Sequence, residues 1–223
     1  MGLLRRIGAA GLLTAVAVLV SVASLALVIA DQPPGEDSAE AGFARDMSAH
    51  HAQAVEMAQI VQENTDDPEV TNLASDIAIT QQGQIGRMQG WLSVWGLPIS
   101  GSGERMAWMG SEMDGRMPGM ASSEKLNELR NAEGEEAERL FLRLMIPHHQ
   151  AAIPMAEAVM ERSDDPAVTE LAEAIIASQR AEIQTMRGML EQRGGDPPPQ
   201  NGPMEDMEMD GDVQSATGYA GLA

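Results

Sequence analysis

Residues 43–96 read FARDMSAHHAQAVEMAQIVQENTDDPEVTNLASDIAITQQGQIGRMQGWLSVWG, and residues 141–194 read FLRLMIPHHQAAIPMAEAVMERSDDPAVTELAEAIIASQRAEIQTMRGMLEQRG. Laid over one another they match without a gap, with about 24 of 54 positions identical, and self-similarity at a fixed offset marks a duplication. Each copy has two segments of helical apolar period separated by an Asp-Asp-Pro turn, Asp66-Asp67-Pro68 and Asp164-Asp165-Pro166. Asp followed by Pro supplies a cap and a first helical residue, so each copy is expected to be a helical hairpin.

At 100° per residue Met47, His50, His51, Ala54, Met57, Ala58 and Val61 fall in one stripe roughly 120° wide, the face a bundle helix buries. Val70, Leu73, Ala74, Ile77, Gln81, Ile85, Met88, Trp91 and Leu92 make the stripe of the second helix. Two such hairpins predict an all-α four-helix bundle. In the third helix pattern Pro147 and Pro154 each remove an intrahelical bond, which predicts a bend.

Working outward, residues 31–42 form an acidic linker, 43–96 the first hairpin, 97–123 a Met- and Gly-rich loop, 124–194 a short helix over 124–131 plus the second hairpin, and 195–223 an acidic tail. Loop and tail are poor in core-forming residues, which predicts mobility for both. Residues 1–30 contain an uncharged apolar run over 7–30 behind Arg5 and Arg6. Such a run predicts a single membrane-spanning helix with the C-terminal domain outside the cytoplasm. A cleaved signal at Val28-Ile29-Ala30, giving a secreted protein, is the competing reading, and both place the body outside the cytoplasm.

Acidic residues outnumber basic ones 34 to 14, the net charge is -20, and Lys125 is the lone lysine. No basic surface exists for phosphate contacts, so nucleic acid is excluded as a partner. With no Cys, four His and 17 Met, metal binding would rest on imidazole, thioether and carboxylate.

All four histidines sit at repeat-related positions, His50-His51 and His148-His149, and three methionine pairs share that relation: Met47 with Met145, Met57 with Met155, Met88 with Met186. Antiparallel pairing about the turn brings Met47, His50 or His51 and Met88 to one level of the first hairpin, and Met145, His148 or His149 and Met186 to one level of the second. Gln81 and Gln179 lie beside them, placed to orient a ring through its second nitrogen. Met57 and Met155 lie two turns away and would need partners from another helix. Adjacent histidines point about 100° apart, so one of each pair is expected to face the opposite hairpin or solvent.

Thioether with imidazole suits Cu(I), and imidazole also accepts Cu(II). Met106, Met109, Met113, Met117 and Met120 in the loop, and Met204, Met207 and Met209 in the tail, read as further soft-ion ligands, with Trp108 stacking over the ion. Packing alone is the alternative for any helical methionine, because thioethers fill core gaps. A di-iron oxidase would need Glu-x-x-His, yet Met47, Ser48, Met145 and Ile146 stand three residues before the four histidines.

The string Met145-Ile146-Pro147-His148-His149 and its flanks closely resemble the signature of the DUF305 family, and Phe43 to His51 resemble its first-copy counterpart, with Ser48-Ala49 in place of Ile146-Pro147. The resemblance covers about residues 40–194 and implies a bacterial ferritin-like four-helix protein, exported or membrane-anchored, in some members associated with copper binding. The expectation is a non-enzymatic protein that sequesters Cu(I) or delivers it to a copper-accepting protein. A metal-dependent oxidoreductase, or a bundle that only packs its His and Met, are the competing readings.

Overall fold

The computed structural model describes residues 14–21, 33–101, 103–110 and 115–199. Among them the chain is all-helical, without a strand. It divides into two units at Gly35, and the second, from Glu36 onward, holds the elements named below. Of the expected membrane span, only 14–21 is described, and it is helical; the rest of 7–30 lies outside the described residues. Among the described residues no helix is long and apolar enough to cross a membrane.

Four long helices carry the second unit: α1 (Ala39–Asn64), α2 (Pro68–Val94), α4 (Gly134–Met160) and α5 (Pro166–Gln192). A short α3 (Ser123–Asn131) precedes α4, and a 3-10 turn (Ala107–Met109) interrupts the loop. The helix starts follow from the sequence. Asp67 Oδ1 accepts from the backbone N–H of Glu69 at 2.8 Å and of Val70 at 3.3 Å with Pro68 at the first helical position; Asp165 Oδ1 accepts from Ala167 N–H at 2.8 Å ahead of Pro166. Ser38 caps α1 and Ser122 caps α3 in the same way. Each cap contributes about 1 kcal/mol. Gly96 and Gly194, at φ 71° and 69°, end α2 and α5 in the left-handed region, where a Cβ would be strained.

Short turns make α1 antiparallel to α2 and α4 antiparallel to α5, and the two hairpins pack chiefly through α1 against α4. These two run antiparallel: His50 faces His148 near their middles, while Thr65, just past α1, bonds Glu138 near the start of α4 at 2.6 Å. Pro147 and Pro154 both lie inside α4, which continues through them to Met160.

One end of the unit is tied by a partly buried guanidinium. Arg193 Nε donates to Glu138 Oε2 at 2.6 Å and Nη2 to Asp67 Oδ2 at 2.7 Å, joining the second hairpin to the turn of the first.

The loop is a correction to the sequence reading. Met106 and Met117 are each only 2% exposed and belong to the core, and Met109 and Met120 pack partly buried against it. Asp46 on α1 accepts from Met106 N–H at 2.8 Å and from the Trp108 indole N–H at 2.9 Å. Gln53, on the same face two turns on, both donates to Ala121 O and accepts from Ala121 N–H, at 3.0 and 2.7 Å. Backbone groups fixed in this way let sparse apolar side chains dock. Met113 and the tail methionines Met204, Met207 and Met209 lie outside the described residues.

Candidate metal centre

The helical periods of α1 and α4 turn both histidine pairs inward, and packing α1 on α4 sets them in one layer. His50, His51 and His149 are wholly buried and His148 is 1% exposed. The His50 and His148 rings lie 3.9 Å apart centroid to centroid, tilted by 35°; His148 and His149 are 6.3 Å apart. The pair that meets is therefore formed between hairpins by the same residue of each repeat.

Burial holds His50, His51 and His148 neutral. The His50 pKa falls to about 4, through burial first, with the bond to Pro118 opposing and the His149 charge assisting. His51 falls to about 3, through burial and then the His50 charge, and His148 lies well below the ordinary value for burial and its neighbours' charges.

Each of three rings has one nitrogen engaged. His50 Nε2 donates to the Pro118 carbonyl at 3.2 Å, His51 Nε2 meets Gln84 Oε1 at 2.7 Å, and His149 Nε2 meets the Glu182 carboxylate at 2.7 Å. The Nδ1 atoms of His50, His51 and His149 are buried without a hydrogen-bond partner among the described residues, and His148 has no partner beyond a weak approach to the His50 backbone. Unsatisfied buried nitrogens cost free energy, and uncharged imidazole nitrogens are donors for a borderline or soft cation.

Gln84 and Glu182 are repeat-related and replace the expected Gln81 and Gln179 as ring partners. Gln81 and Gln179 are also buried, but both atoms of the Gln81 amide and the Gln179 Oε1 lack a partner among the described residues. Three residues along a helix rotate a side chain by about 60°, enough to move from the inward stripe to the side facing His51. A polar residue one turn from the expected one was the available signal.

All six candidate methionines are buried: Met47, Met57, Met88, Met145 and Met186 fully, Met155 at 1%. Met47 and Met88 lie in one apolar cluster, Met145 and Met186 in another. Met57 of the first hairpin shares an apolar cluster with Met145 and Met186 of the second, and Met155 of the second shares the other cluster with Met47 and Met88 of the first. Crossing α1 and α4 at the histidines supplies the partners that Met57 and Met155 needed. The loop adds Met106 and Met117 to the Met47 cluster, so the two sides are unequal. Trp108, expected over an ion, instead packs edge-on against Phe43 with its N–H on Asp46.

The loop also closes over the layer. Gly119, at φ 73°, passes so near α4 that a Cβ there would lie 2.6 Å from Ala151 Cβ and 2.7 Å from Pro147 O. Among the described residues no three His, Cys, Asp or Glu side chains gather into a group able to hold an ion. The donors that meet are imidazoles, and the buried methionines lie in the apolar clusters of the same unit.

Comparison with known proteins accords with this architecture. The model of the domain of unknown function DUF305 matches residues 40–190 and, in a second match, 147–219. A crystal structure from Streptomyces coelicolor, provisionally described as a secreted DUF305 protein, superposes with TM-score 0.71 at 45% identity, covering 74% of this chain and 99% of that one. A DUF305 fragment from Deinococcus radiodurans gives 0.60 at 37% identity, covering 69% and 96%. CopM in its Cu(I)-bound form gives 0.56 at 30% identity, covering 71% and 99%. An uncharacterised protein of Acanthamoeba polyphaga mimivirus is 41% identical over 56 residues, so this chain spans 37% of that curated relative's length.

Proposed function

The chain belongs to the DUF305 family, and on that premise we propose that it is a copper-binding protein acting outside the cytoplasm, which takes up Cu(I) as cargo at the histidine layer between its hairpins. The observation that carries this reading is the layer itself: four buried histidines, three of them held well below their ordinary pKa, with the Nδ1 atoms of His50, His51 and His149 lacking a partner among the described residues. Packing alone gives no reason to bury such groups, whereas a soft ion satisfies them.

The methionines buried in the two apolar clusters are the candidates for the remaining donors: Met47, Met88 and Met155 in one, Met57, Met145 and Met186 in the other. Neutral rings accept a metal at neutral pH without first losing a proton, and thioethers do not titrate. The CopM structures, with Cu(I), Cu(II) and silver bound, support the ion class. Export is supported by the apolar leader and by the description of the Streptomyces relative. The protein holds the ion or passes it on, and it needs no chemical step of its own.

Competition with a Cu(I) chelator tests this reading. The purified protein should hold Cu(I) at least 100-fold more tightly than a variant with His50, His51, His148 and His149 replaced by Ala, and copper should raise the melting temperature. Equal affinity of the two proteins would end the proposal.

A further inference from the structure

The ring partners differ between the repeats in a way that bears on how the layer binds. His149 Nε2 lies 2.7 Å from a carboxylate, and His50 Nε2 lies 3.2 Å from a backbone carbonyl. Both partners accept and cannot donate, so a proton of each ring sits on Nε2, and in the neutral ring the lone pair is on the buried Nδ1. His51 meets the Gln84 amide oxygen at the same 2.7 Å, but an amide carries a donor as well as an acceptor. Gln84 therefore fixes the tautomer of its ring less firmly than Glu182 does. The two positions are otherwise equivalent, with Nδ1 unpartnered among the described residues in both.

We propose that Glu182 is a positioning residue that fixes His149 as an Nδ1 donor, and that its replacement by Gln84 in the first repeat makes the His149 side of the layer the first to take up Cu(I). This rests on the reading of the layer as a copper site. A carboxylate bonded to the remote N–H raises the basicity of the ligating nitrogen and holds the ring plane, and loss of such a partner typically costs 10- to 100-fold in metal affinity. Glu182 also lines a groove between α2 and α5 that carries the carboxylates of Asp76 and, toward its Arg193 end, Glu69. An arriving cation is attracted to that groove.

Two measurements decide the matter. Nitrogen-15 NMR of the metal-free full chain should show His149 with its proton on Nε2, and in Glu182→Gln that preference should weaken. Cu(I) titration should show the first binding event weakened about 10- to 100-fold in Glu182→Gln, largely preserved in Glu182→Asp, and matched by a strengthened second event in Gln84→Glu. A His149 proton on Nδ1 would overturn the assignment. Unaltered uptake by Glu182→Gln, with the wild type binding copper, would overturn this proposal alone; no uptake by the wild type would overturn the copper reading as well.

Discussion

His50 and His148, the same residue of two repeats, stack at 3.9 Å across the junction of the hairpins. Two cations at that distance would repel strongly, and burial disfavours even one, so the junction is stable only while these rings are neutral.

Acid should therefore weaken the copper-free protein. The histidines titrate near 6.5 when unfolded, but near 4 for His50, 3 for His51 and well below 6.5 for His148 when folded. Between those values the unfolded chain binds more protons, so the stability is complete above pH 6.5 and is lost as pH falls. Each such ring contributes a slope of about 1.4 kcal/mol per pH unit. Melting temperature measured from pH 7 to 5, above most carboxylate titration, should fall steadily, and His50→Gln should flatten the slope. A flat wild-type profile would contradict the neutral layer.

Arg193 ties both hairpins through Glu138 and Asp67, with Arg193 and Glu138 side chains 9% and 8% exposed. Arg193→Ala leaves the Glu138 carboxylate buried without its cation and should cost about 3 kcal/mol in urea unfolding. Glu138→Gln retains a partner for Thr65 and for Arg193 and should cost less. The reverse order would show that the latch is not what holds this end.

The loop is docked by single polar groups. Asp46→Ala removes the acceptor of Met106 N–H and of the Trp108 indole, and should cost about 2 kcal/mol. Trypsin should then cut after the exposed Arg105 well before it cuts the helices. Equal cleavage of the two proteins would mean the loop is held by other contacts.

Gly119→Ala would put a Cβ against Ala151 and Pro147 at a positive φ. A loss of about 2 kcal/mol is expected, with displacement of the Pro118 carbonyl from His50, visible as a changed His50 ring signal in NMR. An unchanged signal would place the strap elsewhere in solution.

Packing and ligation by methionine can be separated. Met→Leu nearly conserves volume, so at Met47, Met88, Met145 or Met186 it should cost under about 1.5 kcal/mol. If the thioethers are ligands, Cu(I) affinity should fall far more than stability. Stability falling alone would assign them to packing.

Much of the fold was legible because helical period, Asp caps and the terminal glycines are local properties. The inward stripe that carries both histidine pairs follows from them, while burial of the second ring of each pair needed the opposite hairpin. The loop was misread because its own composition is poor, while the groups that dock it lie on α1. The repeats held a clue: Asp46 and Gln53 correspond to Leu144 and Ala151 in the second copy, so two polar residues stand on a face that is apolar in its mate.

The sequence by itself determined which residues share a helix face, since 3.6 residues per turn requires nothing beyond the segment. Only the tertiary structure decided that His50 meets His148, that Met57 joins Met145 and Met186, and that Gln84 and Glu182 hold the rings. Those relations depend on how one hairpin crosses the other. The crossing is set by long-range packing and by the docked loop, and a periodicity that ends with its own helix carries no information about it.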